Sequence, residues 1–221
     1  MTNKTTFPKK LDNVFERIES EVNLLHGYWI TYRDLFGTSK ERVDLLNESA
    51  AWFSYVIQNV LTDVVQLAFT KLADPVMTFG KKKNMSLELI CEIVKELEED
   101  ELLANLEESL SRFREKCEVF KMHRNKRIAH FDYTTHVDKI GEPLPGVSRA
   151  MIEDALKELR YFVNEVRRFF TGVEAGYEYI KMVSGGDALM EVLKRGLRYE
   201  ELWKEGKIDI MDIQKSKYYK V

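Results

Sequence analysis

Apolar residues recur along this chain at intervals of three and four, the signature of helices with one buried face. Over residues 9–36 the positions Leu11, Val14, Phe15, Ile18, Val22, Leu25, Trp29, Tyr32 and Leu35 form the first such stripe. Gly37-Thr38-Ser39-Lys40 interrupts it and offers Thr38 or Ser39 as the next N-cap. Val43, Leu46, Ala50, Phe53, Ile57, Val60, Val64 and Leu67 predict a second long helix. It ends by Ala73, because Pro75 lacks an amide hydrogen and disfavours helical geometry at Asp74. Two long helices joined by so short a link are expected to lie antiparallel.

Residues 74–85 read as a loop carrying Lys81-Lys82-Lys83, a run expected to be solvated before it is a phosphate contact. Ser86 caps a shorter helix through Leu87, Ile90, Val94 and Leu97, with Glu88 at the positive end of its dipole. The charged break at residues 98–101 either starts a fourth helix or is crossed by a continuous one, and the stripe beyond it is Leu103, Leu106, Leu110, Phe113, Cys117 and Phe120. Gly141, Pro143, Pro145 and Gly146 make residues 131–147 a loop. Ser148 caps the fifth helix, whose stripe is Ile152, Ala155, Leu156, Leu159, Val163, Val166 and Phe170. Gly172 and Gly176 weaken it, and Ser184-Gly185-Gly186-Asp187 is a turn with Asp187 as N-cap. Leu189, Val192, Leu193 and Leu197 form a last small helix, and the tail from Lys204 has no firm period. The expected fold is all-α: an up-and-down bundle of long antiparallel helices over residues 1–171, with a helical appendage over 172–221.

Composition agrees with this pattern. Only 4 Pro and 11 Gly in 221 residues favour long uninterrupted helices. Every apolar run is too short to span a bilayer, and the N-terminus lacks the apolar core of a signal peptide. A cytoplasmic protein without a membrane partner is expected. Cys91 and Cys117 sit on apolar faces and are expected as buried thiols. Trp29, Trp52 and Trp203 are expected as packing residues.

Charge adds the first chemical signal. The formal net charge of −3 argues against wholesale coating of nucleic acid, but the charge is uneven. Residues 92–108 carry eight carboxylates against Lys95 alone, whereas Arg112, Arg114, Lys116, Lys121, Arg124, Lys126 and Arg127 face only Glu115 and Glu118. This basic stretch ends in Arg124-Asn125-Lys126-Arg127-Ile128-Ala129-His130. On a regular helix Arg124, Arg127 and His130 follow one slanted ridge, and Arg124 to His130 spans roughly 9 Å of rise. Arg124 also continues the apolar stripe beyond Phe120, where a guanidinium is costly unless an anion meets it. Asn125 can orient a phosphate oxygen, and His130 can give or take a proton at neutrality. These groups suffice for RNA cleavage without a metal, by attack of the ribose 2′-hydroxyl on its own phosphate. Ordinary dipole compensation at a helix C-terminus accounts for the same charges.

Further candidates flank the motif. Lys121, Lys126 and Arg127 are expected to give electrostatic support to a bound strand, and Tyr133 offers a ring that could stack on a base. His130, Asp132, His136 and Asp138 offer potential metal ligands, a weaker alternative that would imply a metal-dependent hydrolase. No cofactor enters the preferred reading.

The Arg124-Asn125-x(4)-His130 spacing resembles the signature of the HEPN superfamily. Trp52-Phe53, Lys71-Leu72-Ala73-Asp74-Pro75, Asn84-Met85-Ser86-Leu87 and Gly185-Gly186-Asp187-Ala188-Leu189 are similar to segments of its abortive-infection U-type (AbiU-like) family. The resemblance implies a helical bundle that forms a homodimer and an RNase of toxin or phage-defence systems. Its catalytic residues would be Arg124, Asn125 and His130, from two copies facing one cleft, with RNA as substrate and an antitoxin or regulatory protein as a further partner. In one subgroup a Tyr two positions after the His is modified by its antitoxin; here Tyr133 lies three positions after His130, so that regulation is not carried over. The superfamily also holds members that bind nucleotides or scaffold complexes, which makes a non-catalytic nucleotide-binding or protein-interaction module the alternative.

Overall fold

A computed structural model of the chain describes residues 6–77, 82–129, 144–209 and 211. Among these residues there are six α-helices and no strand, as an all-α fold requires. They are α1 (Lys9–Tyr32), α2 (Lys40–Ala73), α3 (Leu87–Glu96), α4 (Asp100–His123), α5 (Arg149–Thr171) and α6 (Gly186–Lys204). π-helical turns extend α1 over Arg33–Gly37 and α4 over Arg124–Ile128. No described helix is long and apolar enough to cross a membrane.

The chain packs as two compact units, Met1–Trp29 with Leu61–Ile180, and Ile30–Val60 with Lys181–Val221. The expected boundary after residue 171 falls inside the first unit. Residues past Thr171 stay there because Asn164 holds them from both sides. Its Nδ2 donates to the Ala175 carbonyl at 3.1 Å and its Oδ1 accepts the Ala175 N–H at 2.9 Å. Tyr177 is buried nearby and its hydroxyl donates to Glu19.

In the first unit α5 and α3 both pack against α4. The α5 stripe is buried from Ile152 to Phe170 as its periodicity predicts, with Phe162 added. Ser148 accepts the Met151 N–H at 3.2 Å as the expected cap, and Gly172 ends the helix at φ 73°, a left-handed position suited to glycine. Ser86 occupies the N-cap position of α3 with extended backbone, but its buried hydroxyl accepts no hydrogen bond. From α4, Phe113 and Phe120 close on Phe69 of α2, with Phe120 stacked at 5.0 Å between ring centroids. Cys91 and Cys117 are buried free thiols, and burial pushes Cys91 up to about 12 and Cys117 up as well, so neither is a ready nucleophile.

The predicted α2 stripe needs correction. Val65, Ala68, Phe69 and Leu72 are buried, while Phe53 and Val60 are exposed and Trp52 is 76% exposed. The buried face lies one residue along from the predicted one, a rotation of about 100°. Val60-Leu61, Val64-Val65 and Leu67-Ala68 are adjacent apolar pairs, so periodicity does not choose between the two faces. The backbone also breaks at Ala50 (φ −162°, ψ 70°), which ends the phase running through Leu46. There the Ser54 hydroxyl donates to the Leu46 carbonyl at 3.4 Å, the acceptor that the Ala50 N–H would use in a continuous helix. Trp203 is also partly exposed, at 44%, whereas Trp29 is buried and donates to Glu153 at 2.7 Å.

In the second unit α6 packs on the π turn at Arg33–Gly37. Gly186 makes the approach possible, because a Cβ there would sit 2.5 Å from Asp34 Cβ. Arg42 fixes the arrangement by donating to the Asp34 carbonyl at 2.6 Å and pairing with Asp187 at 2.7 Å. Asp187 is therefore an ion-pair partner in the first turn, and the N-cap of α6 is Gly185.

His26 gives the first unit a pH dependence. It is 2% exposed, and its Nδ1 donates to the Val22 carbonyl at 2.8 Å while Nε2 lies 3.4 Å from Arg160 Nη1. Burial, opposed in part by the Val22 carbonyl, depresses its pKa below the ordinary 6.5. The unfolded chain thus binds this proton at a higher pH than the folded one, and stability falls as pH drops below about 6.5. In urea unfolding between pH 7.5 and 5.5, a His26→Gln protein is expected to lose less stability with acid than the wild type; equal slopes would refute the assignment.

Candidate functional site

The basic motif begins where α4 loosens. The Ala129 N–H donates to the Arg124 carbonyl at 2.8 Å, five residues back, so Arg124–Ile128 is a π turn. The regular ridge expected for Arg124, Arg127 and His130 is therefore not the observed geometry. His130 and Tyr133 lie outside the described residues, as do Asp132, His136, Asp138 and Lys81.

Each motif arginine meets a carboxylate, Arg127 one within α2 and Arg124 one just past its end. Arg124 Nη1 donates to both oxygens of Asp74 at 3.0 and 2.9 Å, and its Nε donates to Asn125 Oδ1 at 3.2 Å. Arg127 pairs with Asp63 through both terminal nitrogens. Both pairs are about three-quarters or two-thirds shielded from solvent, where an ion pair is stronger than at an open surface. The anion that the apolar setting of Arg124 demands is thus Asp74.

The two helices run antiparallel here, since Arg114, Phe120 and Arg127 meet Ala73, Phe69 and Asp63 in reverse order. Asp63 and Asp74 are eleven residues apart, roughly 16 Å along α2, while Arg124 and Arg127 are only about 5 Å apart along theirs. The two guanidinium groups therefore reach in opposite directions. Arg124 turns back toward the end of α2 and Arg127 reaches onward.

The turn that carries Asp74 is held by several side chains. Arg114 donates from Nε to the Ala73 carbonyl and from Nη2 to Glu88, both at 3.0 Å. Glu88 accepts the Val76 N–H at 2.6 Å, and Asn84 donates to the Pro75 carbonyl at 2.7 Å. On the other side of the motif, His123 Nε2 lies 2.7 Å from the Pro145 carbonyl and ties the returning chain to the end of α4. Its buried Nδ1 has no hydrogen-bond partner. Lys121 and Lys126 are exposed, with Lys121 near Glu118 at 3.5 Å.

The AbiU2 family model of HEPN domains matches residues 8–189. The chain belongs to the AbiU2 family. No curated protein and no solved structure matches it. Two of the short family-like segments, around Asp74-Pro75 and Asn84, meet at the turn that presents Asp74 to Arg124. A third, Gly185-Gly186-Asp187, serves the contact of α6 with its π turn.

The structure brings Arg124 and Asn125 together and leaves Lys121 and Lys126 at the surface, with Arg127 bound to Asp63. Sequence reading missed Asp74, Asp63, Arg114 and His123. Asp74 was visible only as the residue before a helix-stopping proline. Its partner could have been sought by asking which carboxylate satisfies Arg124.

Neutralising Asp74 leaves a shielded guanidinium without its counter-charge. Asp74→Asn is expected to cost about 1–3 kcal/mol in urea unfolding, whereas Asn125→Ala at an exposed position should change stability by less than about 0.5 kcal/mol. Equal small effects would show that the ion pair is energetically idle.

Proposed function

We propose that this AbiU2-family chain is a metal-independent endoribonuclease of a phage-defence or toxin type, acting in the cytoplasm as a homodimer. One observation carries the reading. A well-anchored Arg124 stands beside Asn125 at the start of the π turn that leads to His130. The pair with Asp74 fixes the guanidinium before substrate arrives, which lowers the reorganisation needed to stabilise a crowded phosphate.

In the proposed reaction the ribose 2′-hydroxyl loses its proton to an imidazole and its oxygen attacks the adjacent phosphorus. The bond to the 5′-oxygen breaks, and that oxygen takes a proton from a second imidazole. The products are a 2′,3′-cyclic phosphate and a free 5′-hydroxyl. Two copies of His130 would divide the base and acid roles. Arg124 would stabilise the transition-state charge, with Asn125 orienting it and Lys121, Lys126, Arg127 and Tyr133 supporting the strand. The exposed apolar residues Trp52, Phe53, Tyr55 and Val56 on α2 support self-association.

A second reading, a non-catalytic nucleotide-binding or protein-interaction module, draws on the neutralisation of both arginines by Asp63 and Asp74. One experiment separates the two. Wild-type and His130→Ala dimers are incubated with RNA in EDTA, and with RNA carrying a 2′-deoxy residue at the cleavage site. A rate loss of roughly 10²-fold or more in the variant, and no cleavage at the deoxy position, are expected. Equal cleavage by the two proteins, or none by an intact wild-type dimer, would remove the ribonuclease reading.

A further inference from the structure

A pocket of about 250 Å³ lies between the end of α2 and α4, beside the pair that anchors Arg124. Asp74 belongs both to its wall and to the Arg124 ion pair. Lys121, on another wall, is three residues before Arg124 and on the same side of α4. Whatever fills this pocket is a direct neighbour of a group held at Arg124.

The chemistry of the walls selects against a phosphate. Of the cations in the walls, Arg114 is matched by Glu88 and Lys121 by Glu118, and Glu118 and Asp74 themselves line the pocket. A second anion would meet as much repulsion as attraction. Ala73, Pro75 and the buried Cys117 supply apolar wall for the faces of a flat ring. At the edges, Glu118 accepts hydrogen bonds and Lys121 donates them. Thr70 spends its hydroxyl proton on the Leu67 carbonyl at 2.9 Å, which leaves its oxygen as an acceptor.

We propose that this pocket is a nucleobase subsite for the residue adjoining the phosphate at Arg124, and that guanine is its preferred occupant. A carboxylate next to an ammonium matches the guanine edge, where two N–H donors stand beside the O6 acceptor. Uracil presents one donor, and adenine and cytosine present a single amino group beside a ring nitrogen. The inference rests on the proposed function only for the phosphate at Arg124; the pocket's own chemistry is independent of cleavage.

The test uses binding of uncleavable mononucleotides to the full wild-type chain. Guanosine 3′-monophosphate is expected to bind roughly fivefold or more tighter than the adenosine, cytidine and uridine monophosphates by calorimetry. Glu118→Gln should abolish that preference without weakening the binding of inorganic phosphate; Glu118 is exposed, and circular dichroism confirms the variant's fold. Equal affinity for all four nucleotides, a preference unchanged in Glu118→Gln, or no nucleotide binding at millimolar concentration would overturn the subsite. Base-selective binding without RNA cleavage would keep the subsite and remove only the ribonuclease reading, and cleavage without base selectivity would do the reverse.

Discussion

The meeting of Arg124 with Asp74 is the constraint on which the end of the first unit that carries the basic motif depends. A guanidinium that continues an apolar helix stripe must be neutralised or be carried into water, and α2 ends where a carboxylate can meet it. That requirement explains why the turn after α2 is held so firmly. Arg114, Glu88 and Asn84 each bond to backbone between Ala73 and Val76, from α4, from α3 and from the segment just before α3. They fix no ligand themselves; they hold the carboxylate that holds the arginine. Three parts of the chain distant in sequence are thereby committed to one side chain.

The second pair, Arg127 with Asp63, changes how the basic stretch is to be understood. As a run of letters the segment looks like an open cationic patch. In three dimensions its two arginines are largely compensated by Asp63 and Asp74, Lys121 stands 3.5 Å from Glu118, and Lys126 is exposed at the surface. Recognition of a phosphate at such a place depends on geometry more than on a broad positive field.

Most of the helices were legible in the sequence because their stripes and stops are unambiguous. In α5 each expected apolar position is buried, with Ser148 and Gly172 closing the ends as capping chemistry dictates. The buried face of α2 was not legible, because paired apolar neighbours leave two phases equally good and the break at Ala50 separates them from the earlier turns. The motif itself was legible as residue types at a spacing. Its partners were not: Asp63 and Asp74 lie 64 and 50 residues away, and only tertiary packing shows that they face it. His123 was passed over for the same reason, since its partner Pro145 lies 22 residues on in sequence.

The π turn at Arg124–Ile128 has a consequence for how the segment tolerates change. An i→i+5 turn contains one residue more than the same turn of α-helix, so Ala129 stands about 100° round the axis from where a continuous helix would place it. Removing Ile128 alone would shorten the turn by one residue and restore the α phase at Ala129. Arg124, Asn125, Lys126 and Arg127 would all survive that deletion, yet the turn that carries them would change its phase. Length at this spot is under the same constraint as chemistry.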